Sequence, residues 1–63
     1  MRAILTIEMD NAAFVDGNGN GAELAQILRD LAARIDGAEL ATADSYALRD
    51  TNGNRVGAAV IEA

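Results

Sequence analysis

Leu24, Ile27, Leu28, Leu31 and Ile35 recur at the spacing of one helix face, while Glu23, Gln26, Asp30, Ala33 and Arg34 fall toward the other side. Residues 20–35 are the clearest element of the chain. A single amphipathic helix has a single apolar stripe to bury, so the rest of the chain must supply the surface that covers it. The helix is predicted over residues 21–35, with Asn20 as N-cap and Glu23 reaching back as in a capping box. Asp30 and Arg34 form an acid-first i,i+4 pair, worth about 0.2–0.5 kcal/mol. Gly37 is placed to end the helix in the left-handed conformation.

The flanking segments alternate with the period of strands. In residues 2–9, Ala3, Leu5, Ile7 and Met9 fall on one side and Arg2, Ile4, Thr6 and Glu8 on the other. Asp10 to Gly21 is a connector rich in Asp, Asn and Gly, in which Phe14 and Val15 are expected to pin the chain to the core. Residues 45–50 and 54–62 read as a hairpin. A two-residue Asn52-Gly53 loop would set Arg49 opposite Val56 and Leu48 opposite Gly57, which mixes a charge with the apolar set on one face. A three-residue Thr51-Asn52-Gly53 loop, with Gly53 left-handed, sets Asp50 opposite Asn54 and Leu48 opposite Val56. Tyr46, Leu48, Val56, Ala58 and Val60 then share one face, and the longer loop is preferred.

The prediction is an α+β fold: a single β-α-β-β domain with a three-stranded antiparallel sheet, order 1-3-2, and one helix packed on one face. The helix should cover Ala3, Leu5, Ile7, Leu48, Val56 and Val60. The opposite face would carry Arg2, Ile4, Thr6, Glu8, Ala47, Arg49, Arg55, Gly57, Ala59 and Ile61. Its centre is small or apolar and its charges lie toward the ends, which is how protein-binding surfaces are usually arranged. The candidate interface residues are therefore Ile4, Thr6, Arg49, Arg55, Ala59 and Ile61.

Composition narrows the chemistry. The 63 residues include no His, Cys, Lys, Trp or Pro. There is accordingly no disulfide framework, thiol nucleophile, imidazole base or zinc-finger ligand set. Fourteen of the 32 hydrophobic residues are Ala, so the core is thin, and stability gained by association is expected. Ser45 has no base to activate it, Tyr46 is expected in the core, and a chain this short has little room for a cleft between two carboxylates. Neither an enzyme nor a cofactor is predicted.

Asp16-Gly17-Asn18-Gly19-Asn20-Gly21 has the opening spacing of a calcium loop, but the position that needs a bidentate acid is Ile27. It also lacks the Lys and Ser/Thr of a phosphate loop, and Asp10 and Asp16 would repel phosphate. The stretch is read as a turn feeding the helix, with no metal. A net charge of −5 and only two aromatic residues argue against direct nucleic-acid contact, although Arg2, Arg49 and Arg55 share a face. Asp10, Asp16, Asp36, Glu39 and Asp44 all fall in connectors. They serve either solubility or attraction to a basic partner surface. No apolar run reaches the length of a membrane span, and no basic leader precedes one.

The opening MRAILTIEMDNAAF, the helix GAELAQILRDLAARI and the hairpin LRDTNGNRVG together resemble a group of small proteins encoded in phages, prophages and other bacterial mobile elements. The resemblance covers most of the chain, residues 37–44 being the least typical, and carries no catalytic or binding residues with it. It implies a bacterial cytoplasm and a gene that travels with mobile DNA. Short acidic proteins of such loci often inhibit host defence, anti-CRISPR proteins among them, by occupying a surface of a larger complex. The expected function is a non-enzymatic protein-binding accessory protein that masks a surface of a host defence complex. The alternative is an assembly protein working as a homodimer formed sheet to sheet.

Overall fold

The computed structural model describes residues 1–15 and 19–63. The elements are β1 (Arg2–Ile7), α1 (Ala12–Val15), α2 (Asn20–Ile35), β2 (Ser45–Arg49) and β3 (Arg55–Glu62). The three strands form an antiparallel sheet in the order β1-β3-β2, with α2 as the main helix packed on it. The predicted topology is the observed one. β1 ends at Ile7 rather than Met9, but Met9 still packs against the core. The short α1 was not foreseen. It turns Phe14 into the core and leaves Val15 exposed, so only one of the two expected anchors holds the connector.

The helix buries Ile27 and Leu31, and Leu24 and Ile35 in part. With Phe14, Leu48, Val56 and Ala59 they make the core. Ile27 and Leu48 are the largest fully buried side chains, each worth about 1.5–3 kcal/mol of burial. The N-terminal end of the helix differs from expectation in two respects. Gly19, not Asn20, holds the N-cap position, and no side chain caps it. Glu23 does not reach back, because donors on the hairpin turn take its carboxylate: Thr51 Oγ1 donates to it at 2.6 Å and Thr51 N at 3.0 Å. Asp30 accepts from Gln26 Nε2 at 3.0 Å and does not form the expected ion pair with Arg34. At the far end Gly37 has the expected positive φ of 82°.

The hairpin turn has the predicted three-residue form. Asp50 N–H donates to Asn54 O at 2.9 Å, Gly53 has φ 85°, and Arg49 stands opposite Arg55. The register then slips by one residue. Leu48 pairs with Gly57 instead of Val56, and Tyr46 pairs with Ala59. Val56 is left over as a bulge, still buried. Because side chains alternate with period two, one extra residue inverts the rest of β3. Ala59 (3% exposed) and Ile61 (5%) are therefore buried and share the helix-side face with Leu5, Tyr46 and Leu48. Ala58 and Val60 lie on the open face.

Gly57 allows the slip. A Cβ there would stand 1.9 Å from the Thr6 carbonyl oxygen and 3.0 Å from Ile7 Cα, so β1 approaches closer than any side chain permits. α2 runs nearest to β2 and away from β1. Residues Arg2 to Thr6 are consequently all exposed, even Ala3 and Leu5, which share the covered face.

Candidate protein-binding face

The register assembles the open face row by row. Ile4, Val60 and Ser45 form one row across the three strands, and Thr6, Ala58 and Ala47 form the next. Arg2 and Glu62 stand beyond the first row, and Arg49 and Arg55 close the other end. The middle is flat because four of its six side chains are Ala, Ser or Thr. Ile4 is the large apolar side chain exposed there, at 39%.

Of the six residues expected in the interface, Ile4, Thr6, Arg49 and Arg55 are exposed on this face. Ala59 and Ile61 are not. The bulge at Val56 turns both toward the helix side, and the positions expected for them belong to Ala58 and Val60. A sequence signal for the inversion existed: a glycine inside a strand often marks a bulge or a close backbone approach. The run Val56-Gly57-Ala58-Ala59-Val60-Ile61 is apolar at both parities, so alternation alone does not choose between them.

The electrostatics of the face are simple. Arg2 Nη2 lies 3.4 Å from Glu62 Oε1, an exposed pair of small energetic weight. At the other end two like charges face each other across the ladder, and Arg49 Nη1 donates to Gly53 O at 3.2 Å. At the free edge of β2, between that strand and α2, an open groove of about 410 Å³ is lined by Ile27, Asp30, Ala33, Arg34, Ala47 and Arg49.

The buried charge, Asp50, was not singled out from the sequence. Its carboxylate accepts the backbone N–H groups of Asn52 (3.0 Å) and Asn54 (2.9 Å) and the side chain of Asn11 (2.8 Å). Loss of water pushes this carboxyl upward, but donors from Asn54, Asn11 and Asn52 outweigh that and hold it below the usual 3.8. Asp50 is a satisfied turn-former, with every acceptor engaged inside the molecule. Asp44 acts likewise, accepting Ala41 N–H at 2.9 Å.

Among the described residues no three His, Cys, Asp or Glu side chains gather as a metal set, and no helix is long and apolar enough to cross a membrane. The expected turn at Asp16-Gly17-Asn18 lies outside the described residues. No protein-family model matches the chain, and no match was found among curated proteins or solved structures.

Proposed function

We propose that this protein is a non-enzymatic accessory protein of a phage or mobile element that masks a surface of a host defence complex, in the manner of anti-CRISPR proteins. It would act in the cytoplasm of the bacterial host. The observation that carries the reading is the open sheet face, with a flat centre of Ala47, Ala58, Thr6 and Val60 and arginines at both ends. Flat, small-residue centres let a second surface approach closely, and a charged rim sets orientation and rate. The exposed acids Asp36 and Glu39 add attraction toward a basic surface, including one that normally holds nucleic acid. The context comes from the resemblance to mobile-element proteins.

The test is phage plaquing on strains that carry one defined defence system each, with the protein expressed in trans. Plaquing should rise by orders of magnitude on at least one strain, and the defence complex should co-purify with the protein. The double variant Ile4→Arg, Val60→Arg should abolish both while keeping the wild-type circular dichroism spectrum. No rescue on any strain would sink the reading. The second reading, a homodimer formed sheet to sheet, is favoured by the same small residues. It predicts that this double variant becomes monomeric.

A further inference from the structure

We infer that β1 is a dimerisation edge, pairing antiparallel with β1 of a second copy about a twofold axis at Leu5. This does not rest on the proposed function, because it uses the edge of the sheet and not its open face.

β1 is an outer strand, and its residues Arg2 to Thr6 are all exposed. Natural edge strands are usually guarded by Lys, Pro, a bulge or a covering element. The interior of β1, Ala3 to Ile7, has no charge, no proline and no bulge, and α2 lies away from it. The other edge is better protected: β2 has five residues, ends in Arg49, and is flanked by α2.

The hydrogen-bond parity then selects a register. Glu8 N–H donates to Val56 O at 2.8 Å, continuing the ladder in which the even-numbered residues of β1 bond to β3. The N–H and C=O groups of Ala3, Leu5 and Ile7 therefore point outward. One antiparallel register joins all three to a second copy: Ala3 with the partner's Ile7, Leu5 with the partner's Leu5, and Ile7 with the partner's Ala3. It would form about six backbone hydrogen bonds. The same register sets Arg2 opposite the partner's Glu8 at both ends and Ile4 opposite the partner's Thr6. Small meets large and plus meets minus about the central leucine, which is the self-complementarity that a twofold interface requires. Leu5, 42% exposed on the helix side, would gain a cover it lacks within one chain. The result is a continuous six-stranded sheet.

The experiment is solution mass by sedimentation equilibrium across micromolar to millimolar concentrations. The wild type should show twice the mass of one chain, and Leu5→Lys should be monomeric with an unchanged circular dichroism spectrum. Arg2→Glu and Glu8→Arg should each weaken the dimer by about tenfold, and the two together should restore it. Leu5→Cys, the only cysteine in its chain, should oxidise to a disulfide-linked dimer, since a bonded antiparallel pair has Cα atoms about 5.5 Å apart. A wild type that stays monomeric at millimolar concentration overturns the inference. So does a Leu5→Cys chain that fails to cross-link, or a dimer that survives Leu5→Lys but is lost with Ala58→Arg.

Discussion

Leu5 and Leu48 lie on the same face of the same sheet, one on each side of β3, yet Leu48 is 0% exposed and Leu5 42%. Their sequence surroundings do not explain the difference, since both sit in alternating segments with apolar residues two positions away. The cause is the position of α2, which runs nearest to β2 and leaves β1 uncovered. The β2 side is also tied more densely. Asn11 donates to Asp50, and Glu23 accepts from Thr51, so both the connector and the start of α2 are fastened to the hairpin turn. On the β1 side the side-chain tie is the exposed Arg2–Glu62 pair. A thin core under one main helix covers one flank well and leaves the other to backbone pairing, the packing of Ile7 and an exposed ion pair.

The largest effect is expected at Gly57, where the two flanks meet. Gly57→Ala places a Cβ against the Thr6 carbonyl, a backbone group with no rotamer to relieve it. A loss of about 3 kcal/mol or more is expected, a large share of the roughly 3–9 kcal/mol typical of a chain this long. A wild-type urea midpoint in this variant would mean that β1 can withdraw from β3 at little cost.

The leucine pair tests the comparison directly. Leu48→Ala should cost about 2–5 kcal/mol through the cavity it leaves. Leu5→Ala, removing a side chain already half in water, should cost under about 1 kcal/mol. Equal costs, measured by denaturant titration at a concentration that keeps the chain monomeric, would break the contrast between covered and bare flank.

Asp50 gives a pH-dependent effect. Its folded carboxyl titrates below the unfolded 3.8, so its stabilisation is fully present above 3.8 and is lost as pH falls through the lower folded value. Thermal midpoints followed from about pH 6 to about pH 2 should therefore drop more steeply for the wild type than for Asp50→Asn. Parallel curves would mean that the turn does not depend on the ionised carboxylate. The smallest effect is expected at Ala43, just before β2, which holds φ 80° while its N–H donates to Ile61 O at 2.8 Å. Ala43→Gly relieves that conformation and loses part of the gain to chain entropy, so a stabilisation of a few tenths of a kcal/mol, about 0.5 at most, is expected. A destabilised variant would show that the unfolded-chain entropy dominates.

Much of the fold was legible because its determinants are local. The helix face follows from five residues at helical spacing, four of which pack in or against the core while Leu28 stays 41% exposed. The three-residue turn follows from Asn52-Gly53 and from keeping Arg49 out of the apolar set. The strand order follows from hairpin adjacency and the need for a third strand. In the candidate interface, Ile4, Thr6, Arg49 and Arg55 were placed by alternation outside the bulge and stand exposed. Ala59 and Ile61 were misplaced because they lie beyond Val56, where one extra residue reverses the parity. Glu23 was assigned to a capping box by its spacing, although its partner is Thr51, 28 residues away.

By itself the sequence determined the three strands and the main helix, their order and the side-chain types the chain lacks, because periodicity and turn residues act over a few residues and composition is read directly. Only the tertiary structure decided which parity of β3 faces the helix, which flank the helix covers and which strand edge stays open. Those depend on how closely β1 passes Gly57 and on where α2 comes to rest, and both are settled by packing between segments far apart in the chain.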